Sequence, residues 1–366
     1  MHSDQVSTEA APGSGYLSPL LSRPGASPAQ EAVVDAEGVP WHYGAPLKEQ
    51  LDLERNTGVV DRSHRRIIQV AGPDAPTFLN TLLSQKLDDV PEGFNAGALD
   101  LDIQGRILHH ADLSYSEGSF YLDLPAAQAD TLANFLRKMV FWSKVEVSEP
   151  ELALLTLLGG ELEVPESLVP VYSRKVDWKG PHRIDLAVPR SELDAAVDKL
   201  LAAGAVLSGL MAYTAIRVRA GEPELAVDLD DKSIPHEVPN WIGRHDHPGA
   251  VHLEKGCYRG QETVARVENL GRSPRLLVML QLDGSAPVDP IPGAAVEFEG
   301  RRVGKLGTVV HDCDYGPIAL ALIKRSALDL GTLNVGPVSA SVDPDSLPAD
   351  EGEKAGRAAI NKLRGR

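Results

Sequence analysis

A rhythm of short apolar strands and single helices, sounded twice, constrains this chain more than any other feature. Ile67-Ile68-Gln69-Val70 is a β-branched run closed by the turn residues Gly72-Pro73-Asp74. Residues 75–84 place Phe78, Leu79, Leu82 and Leu83 at helical spacing. Residues 98–101, 107–113 and 120–124 read as strands, with turns at Gln104-Gly105 and Glu117-Gly118. Residues 127–139 read as a helix, and Val145 to Val147 opens another strand. The beat then returns. Residues 152–158 are an apolar run, 183–188 a strand, and 191–203 a helix with Ser191 as cap and Glu192 in its first turn. Two β–α–β–β–α–β passages predict an α+β fold of two ferredoxin-like halves.

The texture changes after Pro274. Short apolar runs at 276–280, 294–298, 303–310, 318–323 and 338–342 alternate with turns such as Glu299-Gly300-Arg301, Gly316-Pro317 and Gly336-Pro337. That pattern predicts a small β-barrel or sandwich. Four regions follow: a flexible tail over 1–46, rich in Ser, Pro, Gly and Ala, an α+β body over 47–272, a β-barrel over 273–343, and a charged tail over 344–366.

Charge excludes some functions. The net charge is −16, with 52 acidic residues against 36 basic ones. Such a chain has no global attraction for nucleic acid or anionic lipid. The N-terminal residues lack the apolar core of a secretory signal, and residues 200–216 read as helix, turn at Gly204, helix, so no membrane span is expected. Cys257 and Cys313, far apart, imply reduced thiols and a cytoplasmic setting rather than a disulfide framework.

One segment concentrates the chemistry. Lys255-Gly256-Cys257-Tyr258-Arg259-Gly260-Gln261-Glu262 packs a cation, a thiol, a ring, an amide and a carboxylate between two glycines. Val264, Val267 and Leu270 follow at helical spacing, with Gly271 as a stop. The thiol therefore precedes a helix N-terminus, where exposed N–H groups and the charges of Lys255 and Arg259 favour a thiolate. Cys313, between Asp312 and Asp314, is expected to be inert, because flanking carboxylates raise a thiol pKa. His109-His110 lies in a strand, so one ring faces in and the other out, which disfavours chelation. His245-x-His247 beside Pro248 reads as a solvated loop, so no metal site is expected. Glu237, after Pro235-His236, is read either as a ligand contact or as a structural salt link.

The segment resembles the signature of the YgfZ-type folate-binding proteins, which are similar to the T-protein (aminomethyltransferase) of the glycine cleavage system. Residues 217–228 and Ile234-Pro235-His236-Glu237 resemble the approach to that signature, and the likeness covers roughly residues 47–342. It implies a tetrahydrofolate-binding α+β body with a C-terminal barrel, and support of iron–sulfur cluster assembly or repair in client enzymes, tRNA-modifying ones among them. Carried over, Cys257 is the reactive residue, and Lys255, Tyr258, Arg259, Gln261, Glu262 and Glu237 line the folate. The partners implied are folate and iron–sulfur client or assembly proteins, with no direct contact to nucleic acid or membrane. Two departures stand against T-protein chemistry. His109-His110 occupy the place of paired aspartates, with Asp112 the remaining candidate carboxylate, and Arg219-Ala220-Gly221 replaces a Glu-Ala-Gly element. A folate-dependent one-carbon transferase is therefore the alternative rather than the first reading.

Overall fold

The computed structural model describes residues 15–29 and 35–348. A 3-10 turn at Pro19–Ser22 is followed by α1 (Pro46–Asp52), β1 (Thr57–Asp61), β2 (Arg66–Ala71), α2 (Ala75–Leu82) and β3 (Asn95–Leu101). Next come β4 (Ile107–Ser116), β5 (Ser119–Leu124), α3 (Ala126–Met139), β6 (Glu146–Ser148) and β7 (Leu152–Gly159). Then follow β8 (Tyr172–Lys175), β9 (His182–Pro189), α4 (Leu193–Ala202), β10 (Val206–Leu207), α5 (Leu210–Ala220) and α6 (Leu225–Asp228). After a long connector stand α7 (Gln261–Leu270), β11 (Arg275–Leu282), β12 (Ala295–Phe298), β13 (Arg301–Asp312), β14 (Gly316–Lys324), β15 (Leu333–Val335) and β16 (Val338–Val342).

The first half forms a sheet in the order β3-β4-β5-β2-β6, every pair antiparallel. Strands β2, β4, β5 and β6 with α2 and α3 take the ferredoxin-like order, and β3 is an added edge strand. Ile68, Val70, Phe120 and Leu122 pack against Phe78, Leu79, Leu132 and Leu136 to make its core. The second half has the order β10-β1-β7-β9-β8. Here β1 is borrowed from before the first half and wedged between β7, antiparallel, and β10, parallel. Among the described residues no helix joins β7 to β8. The link carries Pro165 and Pro170, which interrupt a helical hydrogen-bond ladder. The last six strands close into a barrel, β11-β14-β13-β12-β15-β16, lined by residues such as Val278, Leu280, Leu306 and Ile323. This is the α+β body with C-terminal barrel that the sequence predicted.

Two expectations need correction. Residues 15–29 and 35–46 are not a free tail. Leu20 is buried in the core of the second half, and Ala36 and Val39 are buried against Leu53 and Tyr213. Arg23 pairs with Asp194 at 2.7 Å, and Gly209 passes so close to Trp41 that a Cβ there would lie 2.2 Å from its carbonyl oxygen. Small residues mislead as a disorder signal when two or three apolar ones find a groove. The rest of the assigned tails, 1–14, 30–34 and 349–366, lies outside the described residues. Ser191 caps no helix either: it falls inside a 3-10 turn, Arg190–Glu192, and α4 starts at Leu193 without a side-chain cap.

A buried web of charge joins the two sheets. Arg174 on β8 lies 2.6 Å from Asp123 on β5 and 2.8 Å from Asp185 on β9. Arg65 reaches Asp123 at 2.9 Å, Arg183 reaches Asp185 at 2.6 Å, and Thr156 donates to Asp185 at 2.7 Å. Arg62 lies 3.4 Å from Asp185 and over the Tyr213 ring. Burial would raise the Asp185 carboxyl, but Arg183, Arg174 and Arg62 override it and hold it well below the usual carboxylate range. Its stabilising share is thus present above the unfolded carboxylate pKa and fades as pH falls through the folded value. Asp185→Ala leaves three buried guanidinium groups short of a partner and is expected to cost about 3–5 kcal/mol. Leu20→Ala is expected to cost about 2–5 kcal/mol, since it empties a filled core position. Urea titrations check both; a loss within error for Leu20→Ala restores the free-tail reading.

Candidate functional site

The signature loop is held by its own residues. Lys255 is buried, and its Nζ donates to the carbonyls of Asn80 and Leu83 at the end of α2, where the dipole favours a cation. Burial pulls its ammonium down to about 8. Its Nζ also lies 4.9 Å from the centre of the Tyr258 ring, and burial pushes the Tyr258 hydroxyl up to about 12. Arg259 donates to the Leu101 carbonyl and pairs with Asp100 at 2.5 Å. Gly260 adopts φ +83°, and a Cβ there would lie 2.6 Å from the Asp102 carbonyl oxygen. Gln261 closes the loop by donating to the Lys255 carbonyl at 3.2 Å. Glu262 is exposed in the first turn of α7. Cys257 is exposed, three residues before Gly260, with its neighbours spent on anchoring.

The principal hollow between the two sheets lies elsewhere. It is narrow, about 60 Å³, and lies against His110 and Asp112 of β4, Arg174 of β8, Arg183 of β9, Glu222 after α5, and Trp241 of the connector. His110 stacks on Trp241 with ring centroids 4.4 Å apart. Burial lowers the pKa of His110. Trp241 is buried, and its Nε1 has no hydrogen-bond partner among the described residues. Burial would raise the Asp112 carboxyl, but Arg174, His110, Arg65 and Arg183 hold it down, with Arg65 at 3.6 Å and Arg174 at 3.8 Å. This wall is the exposed edge of the charge web, so ionised groups face the hollow with fixed orientation.

None of the seven residues nominated from sequence lines that hollow. Tyr258 comes nearest, sharing a core cluster with Trp241 and Leu99 behind the wall. Glu237 resolves to the salt link: Arg275 of β11 grips it at 2.8 Å and Asp230 at 2.6 Å, tying connector to barrel. Lys255 and Arg259 spend their donors on backbone carbonyls and Asp100, so they are corrected from ligand contacts to anchors. His110 and Asp112 face the hollow while His109 turns away to Asp100 and Thr131, as strand alternation predicts. His247 has both ring nitrogens taken, by Asp177 and the Asn240 carbonyl, so no chelate forms with His245. Glu222 was missed. Its signal was one residue beyond Arg219-Ala220-Gly221, where Gly221 at φ +72° ends α5 and turns the chain into the hollow. Arg174 and Arg183 carried no local motif at all.

A larger cavity of about 430 Å³ sits between α1, α5 and the barrel. Glu54, Asp312, Asp314, Asp343 and Asp345 outnumber Lys179 and Arg219 in its lining, which repels anionic ligands. Arg219 lies 3.5 Å from Asp312 and 3.6 Å from Asp314. Burial, then Asp312 and Asp314, push the Cys313 thiol up, as its flanking residues implied.

The whole arrangement is that of an aminomethyltransferase fold. A crystal structure of the glycine cleavage system aminomethyltransferase T from Bartonella henselae superposes with a TM-score of 0.71 at 22% identity, covering 88% of this chain and 94% of that one. In sequence the chain is similar to a tRNA-modifying protein YgfZ from Cronobacter sakazakii, 22% identical over 72% of this chain and 83% of the relative. It is also similar to an aminomethyltransferase of Nitrosococcus oceani, 25% identical over 74% and 88%, and to an Arabidopsis thaliana protein named as a chloroplastic transferase, 24% identical over 79% and 70%. No family profile matches the chain. The resemblance to both YgfZ and aminomethyltransferases noted from the signature therefore holds across the greater part of the molecule.

Loop anchoring and thiol exposure make separable predictions. Lys255→Ala is expected to lower stability by about 1–3 kcal/mol, by orphaning buried carbonyls. Cys257→Ser is expected to stay within about 0.5 kcal/mol of the wild type. Thermal melts distinguish them, and iodoacetamide should label Cys257 before Cys313; the reverse order contradicts the loop geometry.

Proposed function

We propose that the chain is a tetrahydrofolate-binding factor that presents Cys257 to partner proteins in the assembly or repair of iron–sulfur clusters. The observation that carries the folate part is the hollow itself: a fixed carboxylate, Asp112, beside a stacked His110–Trp241 pair and an unsatisfied indole N–H. A flat heterocycle with donors and acceptors on its edge answers all three, and a buried orphan donor costs free energy until a ligand satisfies it. The free volume admits the edge of a ring; a whole pterin requires the glycine-containing turn around Gly249 to yield. The larger acidic cavity suits a folate poorly, because the glutamate tail is anionic.

Cys257 acts apart from that hollow. Its side chain is exposed while its neighbours fix the backbone, which fits a thiol offered to another protein. One thiol cannot hold a cluster, so client or assembly proteins supply the remaining ligands. The two free thiols accord with a reducing, cytoplasmic setting. Among the described residues no helix is long and apolar enough to cross a membrane. A second reading, a folate-dependent one-carbon transferase, gains from the position of Asp112, since an ionised carboxylate at the hollow can stabilise an iminium centre.

Calorimetric titration with tetrahydrofolate tests the first reading. Asp112→Asn is expected to weaken binding about 10–100-fold, the worth of a charged hydrogen bond, while Cys257→Ser leaves it unchanged. A wild type that takes up no tetrahydrofolate rejects the folate reading. In cells lacking the protein, Cys257→Ser is expected to leave tRNA thiolation by iron–sulfur enzymes unrestored; full restoration removes the thiol from the mechanism. Methylenetetrahydrofolate formed from an aminomethyl donor at enzymatic rates moves the conclusion to the transferase.

A further inference from the structure

We propose that Glu222 determines the ligand specificity of the inter-sheet hollow: its protonated carboxyl joins the Trp241 indole N–H in donating to the acceptor edge of a neutral heteroaromatic amide, while Asp112 accepts from an N–H edge of the same ring. The inference rests on the folate reading above and names the ring chemistry that the hollow selects.

The argument begins with two carboxyl groups in one narrow space. Asp112 and Glu222 both line it, and like charges so confined do not ionise equally. The protons go where cationic support is weaker. Asp112 has Arg65 and Arg174 within 4 Å, whereas Glu222 makes no ion pair among the described residues. The groups facing Glu222 come from every side: His110 and Asp112 on β4, Arg174 on β8 with Asp177 just after it, Arg183 on β9, Arg217 on α5, and His247 in the connector. Burial and Asp112 push the Glu222 carboxyl up to about 7, against the pull of Arg183, His247 and Arg217. Below that value it is an O–H donor next to an ionised acceptor. Two carboxyls held in opposite protonation states make a donor and an acceptor from one residue type.

Trp241 supplies the independent observation. Its buried Nε1 is left without a partner, although the ring is fixed by stacking on His110. Donors thus wait on one part of the wall and an acceptor on another. A ring with adjacent N–H and C=O or ring-nitrogen positions matches both; a carboxylate or phosphate would meet Asp112 and be repelled. When Glu222 ionises, the hollow loses a donor and gains a second negative charge, so affinity falls with rising pH.

Tetrahydrofolate titrations of wild type and Glu222→Gln from about pH 6 to about pH 9 read this directly. Wild-type affinity is expected to fall about tenfold per pH unit above about 7, the slope for one linked proton. Glu222→Gln, permanently neutral and still a donor, is expected to keep its affinity across the range. A flat wild-type profile, or an unchanged slope in Glu222→Gln, overturns the proposal while leaving folate binding intact. Infrared difference spectra of the free protein, wild type minus Glu222→Gln, supply a ligand-independent test. A carboxylic C=O band that titrates near neutrality supports the proton assignment. Its absence overturns the assignment even if no tetrahydrofolate binds, a result that would separately defeat the folate reading.

Discussion

The cross-sheet web of Arg62, Arg65, Arg174 and Arg183 with Asp123 and Asp185 is the interaction on which the rest of the structure depends. Each sheet buries one face under its own helices. The faces that meet are polar, and there opposite charges at close range replace apolar packing. Buried ions are costly unless every one is matched. The matching fixes the two halves at one spacing, and that spacing leaves a narrow slot at the edge of the web. The same guanidinium groups that neutralise Asp123 and Asp185 keep Asp112 ionised at the slot. Stability and recognition thus draw on one set of charges.

The signature segment plays a different part from the one its composition suggests. A lysine, an arginine and two glycines around a cysteine look like a binding loop. In the fold they are anchors: Lys255 on the end of α2, Arg259 on the end of β3, Gly260 against the Asp102 backbone. Their product is a rigid loop from which one thiol protrudes. The separation of that thiol from the slot divides the molecule into a ligand-recognising interior and a reactive surface position. It also explains why a single factor can bind a small molecule and serve a protein partner.

Glu222 and Asp112 show how the lost carboxylates of a glycine-cleavage pattern can be compensated without restoring the motif. Arg219 stands at the motif position and turns to Asp312 and Asp314 beside the barrel. Three residues on, Glu222 enters the hollow because Gly221 reverses the chain. Motif matching along a line would score this as a loss; the three-dimensional wall still carries two acidic groups.

Much of the architecture was written in local pattern. The period-two strands, the amphipathic helices α2 and α3, the barrel after Pro274 and the in–out alternation of His109 and His110 follow from hydrophobic spacing and turn residues, which act over a few positions. The signature loop and the inert setting of Cys313 were legible for the same reason. Tertiary structure alone decided the insertion of β1 between β7 and β10, the packing of Leu20 and Val39, and the meeting of Arg65, Asp112, Arg174, Asp185, Glu222 and Trp241. Those residues are separated by tens of positions, and single charged or apolar side chains in a strand carry no local mark of their partner. A sequence specifies such pairings only through the complete fold, because the energy that selects them arises when burial brings the groups within a few ångströms.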